Sequence, residues 1–310
     1  MRIRCGLIGV LLGLGGLSLA QSIPTASELA TRIERSGKTV SYAAVRSITI
    51  RSERGNRTFE ERVLRSGDKM YLSYEAGTPY ADQQIYEVGG KRYTYTKSNN
   101  ELRVAPIRGG GLETYKLLAE AAIKGAVKVS RGDAVASRAT FYVEIASDRG
   151  RGTHRIWVDR EKYVVLKRSF AVSSSEEIGG FEVLKIDFSA KISSSKFKWP
   201  SKAKLITVQD DVRRLAKELS VKPMMIPDSG KMALVSTGKM EVRGQNILRQ
   251  FYTDGERRLS LFVMKQTDAE MRFSMRGVEV HRWNSGGMTL ILIGDYSEAE
   301  LKKFAARVKA

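Results

Sequence analysis

Apolar and polar residues alternate over residues 40–51, and this pattern predicts a long β-strand with one buried face, interrupted by Arg46. Shorter strands are predicted after it, because runs of strand-forming residues are separated by turn residues such as Ser66-Gly67-Asp68 and Gly89-Gly90. Consecutive strands joined by short turns form an antiparallel meander. The predicted strands cover residues 58–65, 69–75, 84–88, 91–97 and 101–106.

Two helices flank this meander in the sequence. Thr25 and Glu28 have the spacing of a capping box, and Gly37 is expected to end the first helix. A second helix is predicted over residues 112–124. The run Gly109-Gly110-Gly111 before it lacks the Gly-Lys-Ser or Gly-Lys-Thr of a phosphate-binding loop, so we interpret it as a flexible hinge.

Long strands with apolar residues on one side are predicted between residues 138 and 188. Such strands form a curved sheet, whose apolar face two short helices would cover incompletely. The sequence therefore predicts a mostly β, α+β fold, with an N-terminal antiparallel half-barrel covered by helices around a hydrophobic cavity. An ordinary filled core is the alternative for the same positions. The candidate cavity residues are Tyr42, Ile48, Ile50, Phe141, Val143, Trp157, Leu166, Phe170 and Phe188.

The remaining sequence predicts a smaller α+β domain. A helix over residues 210–219 precedes a proline-containing and glycine-containing segment, 220–230, which is typical of an interdomain linker. Asp254-Gly255 predicts a hairpin, and Ser297 and Glu300 form the capping box of a last helix. Strands are expected near residues 232–242, 246–253, 259–263, 277–283 and 288–293.

The first twenty residues have the composition of a signal peptide. Arg2 and Arg4 precede an apolar run over residues 7–19, which is too short to span a membrane, and Ala20 is suited to cleavage. We expect an exported, periplasmic protein that is soluble after cleavage. Cys5 is the single cysteine and leaves with the signal peptide, so no disulfide is expected.

These patterns together predict four parts of the chain. They are a signal peptide over residues 1–20, a half-barrel domain over 21–208, a helix and linker over 209–230, and a C-terminal α+β domain over 231–310.

The chain carries a formal net charge of +19. An exported protein does not meet nucleic acid, so the expected partners are anionic lipid headgroups, lipopolysaccharide-like molecules or an acidic face of another exported protein. A basic surface that serves only solubility is the alternative, because the positive residues are spread along the chain.

Residues suited to catalysis or metal binding are sparse. His154 and His281 lie in different predicted domains without ligand-forming neighbours, so each is expected on a sheet surface, and neither a metal nor a cofactor is expected. No Gly-x-Ser-x-Gly motif occurs. Adjacent carboxylates such as Glu176-Glu177 and Asp210-Asp211 diverge rather than converge on a substrate. The sequence does not predict an enzyme.

Two sets of motifs resemble known families. Ile156-Trp157-Val158-Asp159-Arg160-Glu161, followed by Val165-Leu166-Lys167, Ile186-Asp187-Phe188 and Phe197-Lys198-Trp199-Pro200, resembles the central pattern of the lipoprotein-carrier superfamily. Tyr252-Thr253-Asp254-Gly255, with Leu259-Ser260-Leu261-Phe262-Val263 and Leu292-Ile293-Gly294-Asp295, resembles the C-terminal domain of the periplasmic sigma-factor regulators MucB and RseB.

This resemblance implies a half-barrel with a lipid-sized cavity and a smaller C-terminal domain. It also implies that the protein restrains envelope-stress signalling by binding the exported part of a membrane-bound anti-sigma factor, and releases it on sensing mislocalised lipid or lipopolysaccharide. The resemblance carries no active site.

The leading hypothesis is an exported regulatory binding protein, in which an acyl chain occupies the N-terminal cavity and the C-terminal domain holds a protein partner. The alternative is a periplasmic carrier of lipoproteins or lipids, although a carrier needs only the first domain. A structural envelope protein with a filled core is a third hypothesis.

Overall fold

The structure is a computed structural model that describes residues 22–52, 55–107, 113–146, 152–171, 177–228, 232–242, 244–254, 257–266, 279–294 and 296–310. Within these ranges the chain is mostly β and forms two separate sheets. The predicted signal peptide and the hinge at Gly109-Gly110-Gly111 lie outside the described residues.

The larger sheet has twelve strands. In chain order they are β1 (Ser41–Ser52), β2 (Gly55–Ser66), β3 (Lys69–Tyr74), β4 (Gln83–Val88), β5 (Lys91–Thr96), β6 (Glu101–Pro106), β7 (Val127–Val135), β8 (Arg138–Ala146), β9 (Thr153–Asp159), β10 (Val165–Ala171), β11 (Glu177–Asp187) and β12 (Lys204–Thr207).

The spatial order of these strands is β12-β6-β5-β4-β3-β2-β1-β11-β10-β9-β8-β7. The predicted meander from β1 to β6 is confirmed. Sequence reasoning missed two strands: β7, and the short β12, which runs parallel to β6. β7 contacts β11 although β8, β9 and β10 lie between them, so the sheet curls back on itself.

Two helices pack against each other and against β7. The first is α1 (Ala26–Thr39), and its predicted capping box between Thr25 and Glu28 is confirmed. Gly37 does not end it, because the helix continues until the amide of Val40 donates to the carbonyl of Ser36 at 2.9 Å. The second helix is α2 (Glu113–Ile123).

The smaller sheet has five strands in the order β13-β14-β15-β17-β16, and all its neighbours are antiparallel. Two helices pack on it, and each begins with a capping box. The elements are α3 (Val208–Glu218), β13 (Ala233–Val242), β14 (Gln245–Thr253), β15 (Arg258–Lys265), β16 (Glu279–Ser285), β17 (Met288–Gly294) and α4 (Glu298–Ala305).

The segment predicted to be a linker is packed rather than free over residues 221–226. Val221, Met224 and Ile226 are buried in the core of the smaller sheet, and Met225 packs against it. Gln250 donates to the carbonyl of Met224 at 2.7 Å, and the hydroxyl of Tyr252 accepts the amide of Ile226 at 3.0 Å. Hinge motion at this segment would break these buried hydrogen bonds.

None of the helices in the described ranges is long and apolar enough to cross a membrane.

Candidate functional site

A helix-covered cluster occupies the face of β8 and β9 that lies under α1 and α2. Phe141 and Val143, predicted to line a cavity, lie in this cluster with 0% of their surface exposed. A side chain that water cannot reach borders no space wide enough for an alkyl chain. Both residues are therefore part of a packed core cluster in this structure. Leu29, Ile33 and Leu118 of the two helices close this face, with Ile145, Ile156 and Val158 of the strands.

A second, strand-covered cluster contains four more of the predicted residues. Leu166 is fully buried in it, Tyr42 is 9% exposed, and Trp157 and Phe188 pack against it. The ring of Phe188 meets that of Tyr42 edge-on at 5.9 Å. Val135 at the end of β7 also belongs to this cluster, so the curling of the sheet fills the space that the helices leave. Tyr42 and Leu166 are therefore core residues, whereas Trp157 and Phe188 border the cluster and are partly buried.

Ile48 and Ile50 of the predicted set are partly exposed and lie near the paired ends of β1 and β2. Ile48 lies opposite Phe59 of β2 and Phe181 of β11, so these three side chains share one face of the sheet. Ile50 is 42% exposed. Helices α1 and α2 cover β7 and the helix-covered cluster on β8 and β9, and α3 and α4 pack on the smaller sheet, where α3 also contacts β6 and β12. The short 3₁₀ helix Ser194–Phe197 packs on β3 and β4. We call this surface the hairpin-end patch, and it consists of Ile48, Ile50, Phe59, Tyr74, Tyr80 and Phe181.

Three rings give the hairpin-end patch its shape. The centroid of Phe59 lies 6.0 Å from that of Tyr74 and 5.1 Å from that of Tyr80, and the two tyrosine rings are 5.4 Å apart. Aromatic rings in such tilted contact form a surface that is apolar and held in place by its own packing.

A largely buried ion pair lies beside these rings on the same face of the sheet. The Glu61 carboxylate accepts a hydrogen bond from Arg46, whose guanidinium lies 5.0 Å over the ring of Phe181. Burial raises the pKa of Tyr74, and the negative charge of Glu61 adds to this effect. The tyrosine therefore stays uncharged, and the patch suits an alkyl chain better than it suits proton transfer.

Phe170, the ninth predicted residue, lies apart from both clusters and from the patch. Its ring packs on that of His154 at 4.7 Å. Burial, with the positive charges of Arg168 and Arg258, lowers the pKa of His154 to about 4. His154 is thus half-buried rather than on an open sheet surface. His281 stacks on Trp283 at 5.4 Å on the edge strand β16.

His154 predicts a loss of stability in acid. Between pH 6.5 and about 4 the unfolded chain binds a proton that the folded protein resists, so stability falls as the pH falls through this window. Because His154 is only half-buried, we expect the free energy of unfolding to fall by about 1 kcal/mol across this window. Urea midpoints at pH 7.5 and 4.5 should therefore differ less in His154→Gln than in the parent. His281→Gln is the matched control. If both variants show the same difference between the two urea midpoints, the prediction is contradicted.

In the part of the chain that the structure describes, no group of three or more His, Cys, Asp or Glu side chains is placed to hold a metal ion.

Sequence reasoning missed Phe59, Tyr74, Tyr80 and Phe181 as members of the candidate site. Phe59 could have been found from the meander, because the pairing of Ser52 with Gly55 sets the register that places Phe59 opposite Ile48.

Comparison with protein families finds no matching family model, and no curated protein matches the chain. Solved structures do match. A structure of the MucA/MucB complex of Pseudomonas aeruginosa contains a chain with 12% identity and a TM-score of 0.53, covering 92% of this chain and 99% of that one.

Two further structures agree with this match. A crystal structure of MucB has 12% identity and a TM-score of 0.50, with 91% of this chain and 97% of that chain covered. A crystal structure of MucB in complex with MucA(peri) has 13% identity and a TM-score of 0.50, with 92% and 98% covered. This chain therefore has the fold of MucB over nearly its whole length.

Proposed function

We propose that this protein is an exported regulatory binding protein that holds an envelope protein partner and responds to an amphiphile. The observation that carries the proposal is the match to MucB, which extends through both sheets. MucB itself has been solved in complex with MucA. By analogy, the partner of this chain is the periplasmic part of an anti-sigma factor.

The proposed amphiphile site is the hairpin-end patch. It is apolar and only partly covered, and the charged pair Arg46–Glu61 beside it already satisfies its own charges. By contrast, Tyr42, Phe141, Val143 and Leu166 are buried in filled clusters. Half-exposed clusters of large apolar side chains on a protein surface mark sites of interaction. In this proposal the larger sheet acts as an open half-barrel, and the alkyl chain lies along the open end of its apolar face.

Regulation requires the amphiphile to distinguish two states of the protein. It changes partner affinity only if it binds more tightly to one arrangement of residues 21–208 and 231–310 than to another. Since residues 221–226 are packed on the smaller sheet, we place the movement between that unit and β6, where Arg103 pairs with Asp211 at 2.6 Å.

The partner is tested with envelope extract of the host. Tagged protein lacking residues 1–20 should capture a membrane protein whose cytoplasmic part binds a sigma factor, and purified fragments of both should bind directly. If the protein instead captures acylated lipoproteins and transfers them between membranes in a reconstituted assay, the carrier hypothesis is supported.

Ile50→Asp should weaken binding of dodecyl maltoside below its micelle concentration by at least about tenfold, or about 1.4 kcal/mol, because a charge replaces an apolar contact with the alkyl chain. Binding is read from tryptophan fluorescence or calorimetry. Leu205→Asp is the matched control, because Leu205 is 60% exposed on β12. If both variants lose the same affinity for dodecyl maltoside, or if the parent protein does not bind it, the hairpin-end patch is not the amphiphile site.

A further inference from the structure

A pocket of about 460 Å³ lies between the C-terminal half of α1 and the turn that joins β9 to β10. It is distinct from the hairpin-end patch. Val40 lines the pocket and Ile48 belongs to the patch. The extended chain between these two residues spans roughly 26 Å at about 3.3 Å per residue. The volume is in the range of small-molecule sites.

The pocket is strongly positive. Arg32 and Arg35 line it from the helix and Lys162 lines it from the turn, whereas Glu161 is the one carboxylate in its wall. Glu161 already accepts a hydrogen bond from Arg138 at 2.8 Å. Within the described residues, neither Arg35 nor Lys162 has an ion-pair partner. Two positive side chains are thus available to a ligand.

The walls of the pocket are held in place. Arg32 donates to the hydroxyl of Tyr163 and its guanidinium lies 5.0 Å from the centre of that ring. The turn is fixed by Asp159, which accepts the amide of Lys162 at 2.6 Å. Tyr163 has a φ of +56°, a conformation that this turn holds in place. Arg32 and the turn are therefore in place before any ligand binds, whereas the exposed side chains of Arg35 and Lys162 have to be ordered by the ligand.

Ser36 supplies an unused donor in the same wall. Its residue is 6% exposed and its hydroxyl oxygen has no hydrogen-bond partner within the described structure. By contrast, Thr31 and Thr39 of the same helix donate to the carbonyl four residues earlier, at 3.0 and 2.9 Å. Because water does not reach this oxygen, a ligand atom can accept from it only after a neighbouring side chain in the pocket wall moves.

One force opposes an anion here. The pocket is near the C-terminal end of α1, where the helix dipole places about half a negative charge. Arg32, Arg35 and Lys162 together outweigh that half charge severalfold, so the field in the pocket remains positive.

We propose that this pocket binds the phosphate group of an organic phosphate monoester. Two guanidinium groups, one ammonium group and a hydroxyl donor match a small group with three terminal oxygens better than they match a single carboxylate. A monoester is close to a dianion at neutral pH. The remaining pocket volume accommodates the organic part. The proposal rests on this pocket alone and not on the proposed function.

Two sources could supply this group, a soluble sugar phosphate or a lipid headgroup. Calorimetric titration of the full chain without residues 1–20 therefore uses glucose 6-phosphate against glucose, and 1-oleoyl lysophosphatidic acid against monooleoylglycerol. Each phosphate is expected to bind at least tenfold more tightly than its neutral counterpart, with affinity that falls as salt rises. If only lysophosphatidic acid binds more tightly than its neutral counterpart, the phosphate is that of a lipid headgroup. No preference in either pair overturns the proposal.

Charge variants separate the pocket from the general positive charge of the protein. Arg35→Gln combined with Lys162→Gln should weaken phosphate binding at least tenfold. Lys217→Gln combined with Lys303→Gln removes the same charge from exposed positions on α3 and α4 and should leave binding within twofold. Equal weakening by both pairs would show that only the net charge attracts the ligand, and would contradict the site.

Ser36→Ala gives a readout that a purely structural role would not produce. It should weaken phosphate binding about threefold while leaving the Tm unchanged or raised, because it removes a buried hydroxyl that has no partner. A lowered Tm with unchanged affinity would show that the hydroxyl serves folding instead.

Discussion

Asp159→Asn is expected to destabilise the larger sheet by about 3–5 kcal/mol, the usual cost of removing one partner of a buried ion pair. Asp159 is 0% exposed and accepts Arg138 through both of its oxygens, at 2.6 and 3.2 Å. It also accepts the amides of Glu161 at 2.9 Å and Lys162 at 2.6 Å. An asparagine keeps the shape of the side chain, but its NH₂ group would face a guanidinium or amide donor.

The measurement is urea unfolding followed by tryptophan fluorescence, because Trp157 and Trp199 lie in the part of the chain that forms the larger sheet. Asp187→Asn is the matched control, since Asp187 is exposed at the end of β11 and bonds to Ser189. The control should cost under about 1 kcal/mol. Similar midpoints for the two variants would show that the buried carboxylate does not organise this turn.

Gly180→Ala is expected to cost about 2–4 kcal/mol through crowding and backbone strain. Gly180 lies in β11 between Thr49 of β1 and Ser169 of β10, with a φ of +159°. A Cβ at this position would press on the carbonyl oxygen of Arg168 and lie 3.0 Å from the Cα of Ser169. Both contacts are backbone atoms of the neighbouring strand, so the sheet must open to admit the methyl group.

Gly238→Ala is the control for this variant. Gly238 lies in β13, and a Cβ there would meet nothing within 4 Å. This substitution should be neutral or stabilising by up to about 1 kcal/mol, because alanine reduces the freedom of the unfolded chain. Thermal unfolding of both variants checks the pair, and a Gly180→Ala protein as stable as the parent would contradict the packing of β10 against β11.

The local elements could be predicted from the sequence because their signals are short-range. The capping boxes at Thr25 and Ser297 determined helix starts, and alternation determined the meander and the strands of the smaller sheet. β7 was missed because its exposed residues and Gly132 weaken the alternation. The burial of residues 221–226 was not predicted, because proline and glycine content does not report burial.

The burial of the candidate site residues could not be predicted from the sequence, for a different reason. Alternation shows which side chains share a face of a sheet, but not what covers that face. Phe141 is covered by helices and Leu166 by the curled sheet itself, whereas Ile50 remains open. This difference depends on the contact between β7 and β11, which joins residues far apart in sequence.

Intermolecular nuclear Overhauser effects between dodecyl maltoside and isoleucine methyl groups test the central claim most directly, because they report only close contact. The account predicts contacts from the alkyl chain to Ile48 and Ile50, and none to Ile145 or Ile156 beneath the helices. Contacts to Ile145 and Ile156 without contacts to Ile48 and Ile50 would place the ligand inside the core, and would contradict the account.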